Sequence, residues 1–204
     1  MFLKVNKSRA FGTVSIPGSK SHTIRALFIS SLADGQSEIR NPLISNDSLS
    51  AVEACRAFGA CIDESGNKFV VQGFNGVPKT PEDVVNVGNS GTTLPFGLVT
   101  ASLGENYTVF TGDYQLRKRP MGPLIEAINK LGAQAFSTRC NGLAPIVIRG
   151  RAAGGQTELD AVTSQYLSAL LINTPFLEKD TEIYLKRLNE VPYVEMTLWW
   201  LDKQ

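Results

Sequence analysis

The run Gly18-Ser19-Lys20-Ser21-His22-Thr23-Ile24-Arg25 concentrates the groups best able to do chemistry in this chain. The alternating residues Thr13-Val14-Ser15-Ile16 lead into Pro17-Gly18, and the apolar run Ala26-Leu27-Phe28-Ile29 follows. That pattern predicts a strand, a turn and a helix that begins at Ser19 or Ser21. The unpaired N–H groups of a helix N-terminus attract anions. Lys20 and Arg25 would add two positive charges beside them. Cations in a first turn oppose the helix dipole, which favours acids there, and an anion held at the same place removes the conflict. The same residues also read as a solvated basic first turn. A nucleotide-binding P-loop is excluded, because Ser19 and not glycine precedes Lys20.

Composition limits the alternatives. A chain of 204 residues is long for one domain and short for two, and by size scaling it can bury roughly 70% of its unfolded surface. A formal charge of +1 argues against a nucleic-acid partner. Cys55, Cys61 and Cys140 form no C-x-x-C pair, so they indicate neither a disulfide framework nor a zinc site, and reduced thiols are expected. With His22 as the single histidine, a histidine metal site or a Ser-His-Asp triad has little material. No run approaches membrane-spanning length, and the first residues lack the apolar core of a signal peptide. A soluble, cytoplasmic protein without metal or cofactor is expected.

The elements that must carry Lys20 and Arg25 recur along the chain. Short strands are predicted at Phe2–Val5 and Gly12–Ile16, then a helix over about 20–33 stopped by Asp34-Gly35. A strand at Ser37–Arg40 follows, then a helix capped by Asn46-Asp47, then a hairpin around Ser65-Gly66-Asn67. The same order returns after Gly88-Asn89-Ser90-Gly91-Thr92, with Arg119-Pro120 opening the second helix and a hairpin around Asn141-Gly142. It begins a third time at Gln156–Leu159, with a helix from Ser164 and a last helix opened by Pro192. Matching signals return at a period of about 72 residues, the mark of an internal repeat. The first helix of each unit is apolar nearly all round, as in Leu94-Pro95-Phe96-Gly97-Leu98-Val99, and such helices are buried on every side. The expected fold is mixed α/β: three βαβαββ repeats (about 12–75, 83–150 and 155–204) in one globular domain, with helices inside, sheets outside and the third repeat incomplete. The central helices would then start together, at Ser19, Ser90 and Ser164.

Taken in order, Pro17-Gly18-Ser19-Lys20-Ser21 with Arg25, Gly88-Asn89-Ser90-Gly91-Thr92, Gly112-Asp113 through Arg119-Pro120-Met121, Ser164-Gln165-Tyr166 and Pro192-Tyr193 resemble the 5-enolpyruvylshikimate-3-phosphate synthase family, also called 3-phosphoshikimate 1-carboxyvinyltransferase. The resemblance runs along the whole chain and favours the shikimate-type enzyme over its sibling that acts on UDP-N-acetylglucosamine. It implies two domains of three repeats each, of which this chain matches the first, the one that holds shikimate 3-phosphate. The second domain, with the acidic catalytic residues, is expected to be absent here. The implied reaction moves the carboxyvinyl group of phosphoenolpyruvate to the 5-hydroxyl of shikimate 3-phosphate, through a tetrahedral intermediate and without metal or nucleotide.

By the same resemblance, Lys20 touches both substrates and is the candidate for proton transfer, while Ser21, Arg25 and Tyr193 lie on the shikimate side. Gly91, Thr92 and Arg119 lie on the phosphoenolpyruvate side. Thr163, Ser164 and Gln165 hold the 3-phosphate and ring. Phosphoenolpyruvate is expected to bind this half only weakly, and the half alone to be inactive. A stand-alone module that binds shikimate-like anions without catalysis is the competing reading. Three positions depart from the family pattern. Leu94-Pro95-Phe96 stands where an arginine is usual, Glu190 where a phosphate-contacting serine is usual, and Thr163 where a serine is usual. Glu190 is expected to act, without ligand, as a surrogate anion on backbone N–H groups, Lys20 or Arg25.

Overall fold

The computed structural model describes residues 2–203. The first unit comprises α1 (Lys20–Leu32), β1 (Gln36–Arg40), α2 (Asn46–Ala57), β2 (Cys61–Ser65) and β3 (Lys68–Gln72). The second comprises β4 (Val85–Asn86), α3 (Thr93–Ala101), β5 (Tyr107–Thr111), α4 (Gly122–Lys130), β6 (Gln134–Ser137) and β7 (Ile146–Arg149). The third comprises β8 (Gly155–Ala161), α5 (Ser164–Asn173), β9 (Thr181–Leu188) and α6 (Val191–Asp202). Each unit builds its own sheet, in the orders β1-β3-β2, β4-β5-β7-β6 and β8-β9. The pair formed by the first strands of a unit is parallel (β4 with β5, β8 with β9), and the hairpin strands add antiparallel.

The inner helices are α1, α3 and α5. Every residue of α3 is buried, as are Thr23 through Leu32 of α1, which is what a helix apolar on all faces requires. Contacts at both ends set α3 and α5 side by side and parallel. Gln165 Nε2 donates to Thr92 Oγ1 at 3.1 Å where they begin, and Thr100 Oγ1 donates to Asn173 Oδ1 at 2.9 Å where they finish. Phe28 of α1 meets Phe96 of α3 edge to face, with ring centres 5.4 Å apart. The Arg25 guanidinium binds both Ser21 O in the first turn of α1 and Tyr193 O in the first turn of α6. Glu190, just before α6, bonds Ser164 at the start of α5, so the three N-termini share one end, as the repeat implies. Two starting signals shift. α2 is capped by Ser45 in a reciprocal box with Ser48, so Asn46 is already helical. Pro123, not Pro120, lies in the first turn of α4.

The expected strands at Phe2–Val5 and Gly12–Ile16 do not form. Phe2, Leu3, Val5, Phe11, Val14 and Ile16 are 75–95% exposed, and the ordered elements of the first unit run from Lys20 to Gln72. The second unit shows what its counterpart lacks. There, the Val87 N–H donates to Thr111 O at 3.0 Å and the Asp113 N–H donates to Gly88 O at 2.8 Å, which ties β4 to the end of β5. Aligned on Gly18 and Gly88, Pro17 stands in the place of Val87. Aligned on the ends of β1 and β5, Pro42 stands in the place of Asp113. Proline has no N–H to give, so neither tie can form. Gly18 still sits against the end of β1, where a Cβ would lie 2.5 Å from Asn41 O.

Candidate functional site

The shared end of the inner helices brings together most of the residues singled out from the sequence. Arg25 lies one and a half turns into α1 and is 1% exposed. Its Nε donates to Thr197 Oγ1 at 2.7 Å, Nη1 to Ser21 O at 3.1 Å, and Nη2 to Ser168 Oγ and Tyr193 O, both at 3.1 Å. The guanidinium lies 5.6 Å from the Phe96 ring centre and 6.0 Å from that of Tyr193. All four acceptors are neutral. Burial lowers the guanidinium to about 10, against a smaller opposing pull from Tyr193. A buried cation held only by dipoles leaves positive potential around it. Guanidinium has five N–H donors, and one on Nη1 has no acceptor among the described residues.

Thr163, Ser164 and Gln165 open α5. Thr163 is the N-cap, its Oγ1 accepting from the Gln165 N–H at 3.5 Å, and Gln165 reaches across to Thr92 at the start of α3. Glu190 joins them from the far side. It precedes α6 in the left-handed region, at φ 56° and ψ 43°, and makes no side-chain cap to its own helix. Its Oε2 instead accepts from Ser164 Oγ at 2.8 Å, the Ser164 N–H at 3.1 Å and Thr163 Oγ1 at 3.1 Å. Those bonds, led by the Ser164 hydroxyl, hold its carboxyl below the ordinary range. The expected surrogate anion is therefore present, on backbone and hydroxyl donors and not on Lys20 or Arg25. Tyr193, in the first turn of α6, is partly exposed; its carbonyl holds Arg25, and its ring lies over the guanidinium.

A second group stands beside this one. Arg119 Nη2 donates to Asn89 Oδ1 at 3.3 Å. Its guanidinium covers the α-carbon of Gly91, where any Cβ would collide with Nη1. The absence of a side chain at Gly91 is thus what lets Arg119 close over the loop. Tyr166 bonds the Pro120 carbonyl and ties this loop to α5. Lys20, in the first turn of α1, is half-exposed and pairs with Asp47 at 2.7 Å. Pro95 falls in the first turn of α3, where a missing N–H breaks no helix bond.

Sequence reasoning missed Asp47, Ser168 and Thr197 as site-building groups. Asp47 read as a plain helix cap, whereas Ser168 and Thr197 were traceable as hydroxyls inside otherwise apolar helices. They also fall four positions after Ser164 and Tyr193, on the same helix faces. No helix among the described residues is long and apolar enough to cross a membrane.

Inner helices surrounded by repeated sheets, with their N-termini gathered at one end, define the enolpyruvyl transferase class of fold. The solved EPSP synthase of Acinetobacter baumannii matches with a TM-score of 0.80 at 26% identity, over 90% of this chain and 42% of that one. The enolpyruvyl transferase NikO of Streptomyces tendae shares the fold, with a TM-score of 0.59 at 15% identity over 84% of this chain and 39% of that one. The family model described as EPSP synthase (3-phosphoshikimate 1-carboxyvinyltransferase) matches residues 5–203, and the chain belongs to that family. It is 66% identical over 203 residues to the 3-phosphoshikimate 1-carboxyvinyltransferase of Acetivibrio thermocellus and 63% identical to that of Ruminiclostridium cellulolyticum. Each alignment covers 100% of this chain and 48% of the relative, so the chain spans about half the length of these relatives.

Proposed function

We propose that this chain forms the shikimate 3-phosphate half-site of a carboxyvinyl transferase, completed by a second domain of the same enzyme. The single observation that carries the reading is Arg25, a fully buried guanidinium with neutral partners at the meeting point of α1, α5 and α6. A ligand carboxylate would balance that charge. In this reading Ser21, Arg25, Gln165 and Tyr193 hold the shikimate ring and its carboxylate, and Thr163 and Ser164 receive the 3-phosphate. Gly91, Thr92 and Arg119 form the phosphoenolpyruvate side, which this half binds weakly. In the same reading Lys20 touches both substrates and serves proton transfer. The 5-hydroxyl gives up its proton as its oxygen bonds to C2 of phosphoenolpyruvate while C3 gains a proton, and later loss of a C3 proton expels phosphate.

One half leaves both anions facing water, whereas stabilising the charge of such a transition state needs an enclosed, preorganised site. The isolated chain is therefore inactive in this reading, and its uncovered apolar residues from Phe2 to Ile16 supply surface for a second domain. Calorimetric titration with shikimate and shikimate 3-phosphate tests the binding role. Binding of both, with phosphate release at background when phosphoenolpyruvate is added, is the expected result. No binding of either ligand would refute the reading, and rapid phosphate release would refute the claim of inactivity.

A further inference from the structure

We infer that Glu190 sets the specificity of the anion subsite at the start of α5: its carboxylate is a tethered competitor that a ligand phosphate must displace. The inference rests on the half-site reading above and adds to it a residue that weakens the preference for the phosphorylated ligand.

Three donors converge on one oxygen of Glu190: the Ser164 N–H, the Ser164 hydroxyl and the Thr163 hydroxyl. One backbone N–H and two hydroxyls around a single oxygen, at a helix N-terminus, is a donor set suited to a phosphate oxygen. The carboxylate comes from another helix, 26 positions along the chain from Ser164, and it leaves its own helix without a side-chain cap. Nothing in local helix capping calls for that exchange. The backbone of Glu190 is also left-handed, a region that residues with a Cβ visit rarely. Its placement is thus sustained by the contact across to α5.

Those three donors cannot serve Glu190 and a phosphate together. If the carboxylate stays, it faces a dianion at short range in a site with reduced solvent screening. If it swings away, its own bonds to Ser164 and Thr163 are lost. Either course subtracts from the gain that a phosphate would draw from this N-terminus. A ligand with a plain hydroxyl at the same position brings no charge for the carboxylate to repel and does not need its three donors. The ring and carboxylate contacts, which involve Arg25, Gln165 and Tyr193, are untouched by the exchange.

The test compares shikimate with shikimate 3-phosphate by isothermal titration, in the protein and in its Glu190→Gln and Glu190→Ser variants. Glu190→Gln keeps the length and removes the charge, whereas Glu190→Ser also clears the space. Thermal melting of each variant checks that it is folded. Both variants are expected to bind shikimate 3-phosphate at least tenfold more tightly and shikimate within twofold of the parent. Inorganic phosphate should compete with shikimate 3-phosphate more effectively in the variants. Equal changes for both ligands, or no change for either, would overturn the role of Glu190 and leave the half-site reading standing. Failure of all three proteins to bind either ligand would overturn both.

Discussion

The Nε of Arg25 and the hydroxyl of Thr197 lie 2.7 Å apart, joining residues 172 positions distant in sequence. The same hydroxyl donates to Ser168 Oγ at 2.8 Å or to the Tyr193 carbonyl at 2.9 Å. One threonine thereby connects the guanidinium to both α5 and α6. Replacing it by valine keeps the shape and strands a charged donor in the core. Thr197→Val is expected to lower unfolding free energy by about 1–3 kcal/mol, the cost of a buried donor left unmade. Urea denaturation measures it. Thr197→Ser, which keeps the hydroxyl, should retain most of the stability, and equal losses in the two variants would count against the bond.

Arg25 itself separates charge from geometry. Arg25→Lys keeps a cation but lacks the planar fork that reaches four acceptors. Loss of the charge-assisted bond to a ligand carboxylate should cost Arg25→Ala about 1.5–3 kcal/mol in shikimate affinity. Arg25→Lys should recover only part of that. Calorimetric titration against shikimate gives the comparison, and affinity unchanged in both variants would remove Arg25 from the ligand contacts.

Gly91 tests the second group. A Cβ there meets the end of the exposed, flexible Arg119 side chain and no backbone. Gly91→Ala should therefore leave thermal stability within about 0.5 kcal/mol of the parent, while the guanidinium is pushed off the loop. In the half-site reading, phosphoenolpyruvate binding weakens and shikimate binding does not. Parallel titrations with the two ligands measure this, and equal weakening of both would show a general disturbance of the loop.

The bonds from Ser164 and Thr163 depress the Glu190 pKa below its ordinary value of 4.5. A depressed carboxylate pKa adds stability that is fully present above the unfolded value and is lost as pH falls through the folded value. Glu190 should thus support the fold fully at neutral pH, and that support should fade progressively as pH falls below about 4.5 toward the lowered folded value. Melting temperatures of the protein and of Glu190→Gln are expected to differ most at neutral pH and to converge in acid. A gap that widened in acid would contradict these bonds.

Cys55 is buried, and burial pushes its thiol up to about 12, whereas Cys61 and Cys140 are exposed. A disulfide reagent at pH 8 should modify the two exposed thiols quickly and Cys55 only after denaturation. Three thiols reacting at one rate in the native state would contradict the burial of Cys55.

The amino-acid sequence by itself determined the repeat, the three inner helices that are apolar nearly all round, and the end at which they start. Each of those follows from signals within a few residues: a glycine stop, a capping hydroxyl, a face without polar groups. It also marked Lys20, Arg25 and Ser164, because basic and hydroxyl residues at helix starts have a local meaning, whereas Thr163 and Gln165 were marked by the family resemblance. Only the tertiary structure decided that Glu190 caps α5 and not α6, that Ser168 and Thr197 hold Arg25, and that Lys20 pairs with Asp47. It also decided against a strand at Gly12–Ile16, whose alternation is sound but whose ties to β1 would need an N–H from Pro17 and from Pro42. A local pattern states what a segment can do. Whether a donor, an acceptor or a charge meets it depends on groups brought near by packing, and no short-range spacing encodes a partner 26 or 172 positions away.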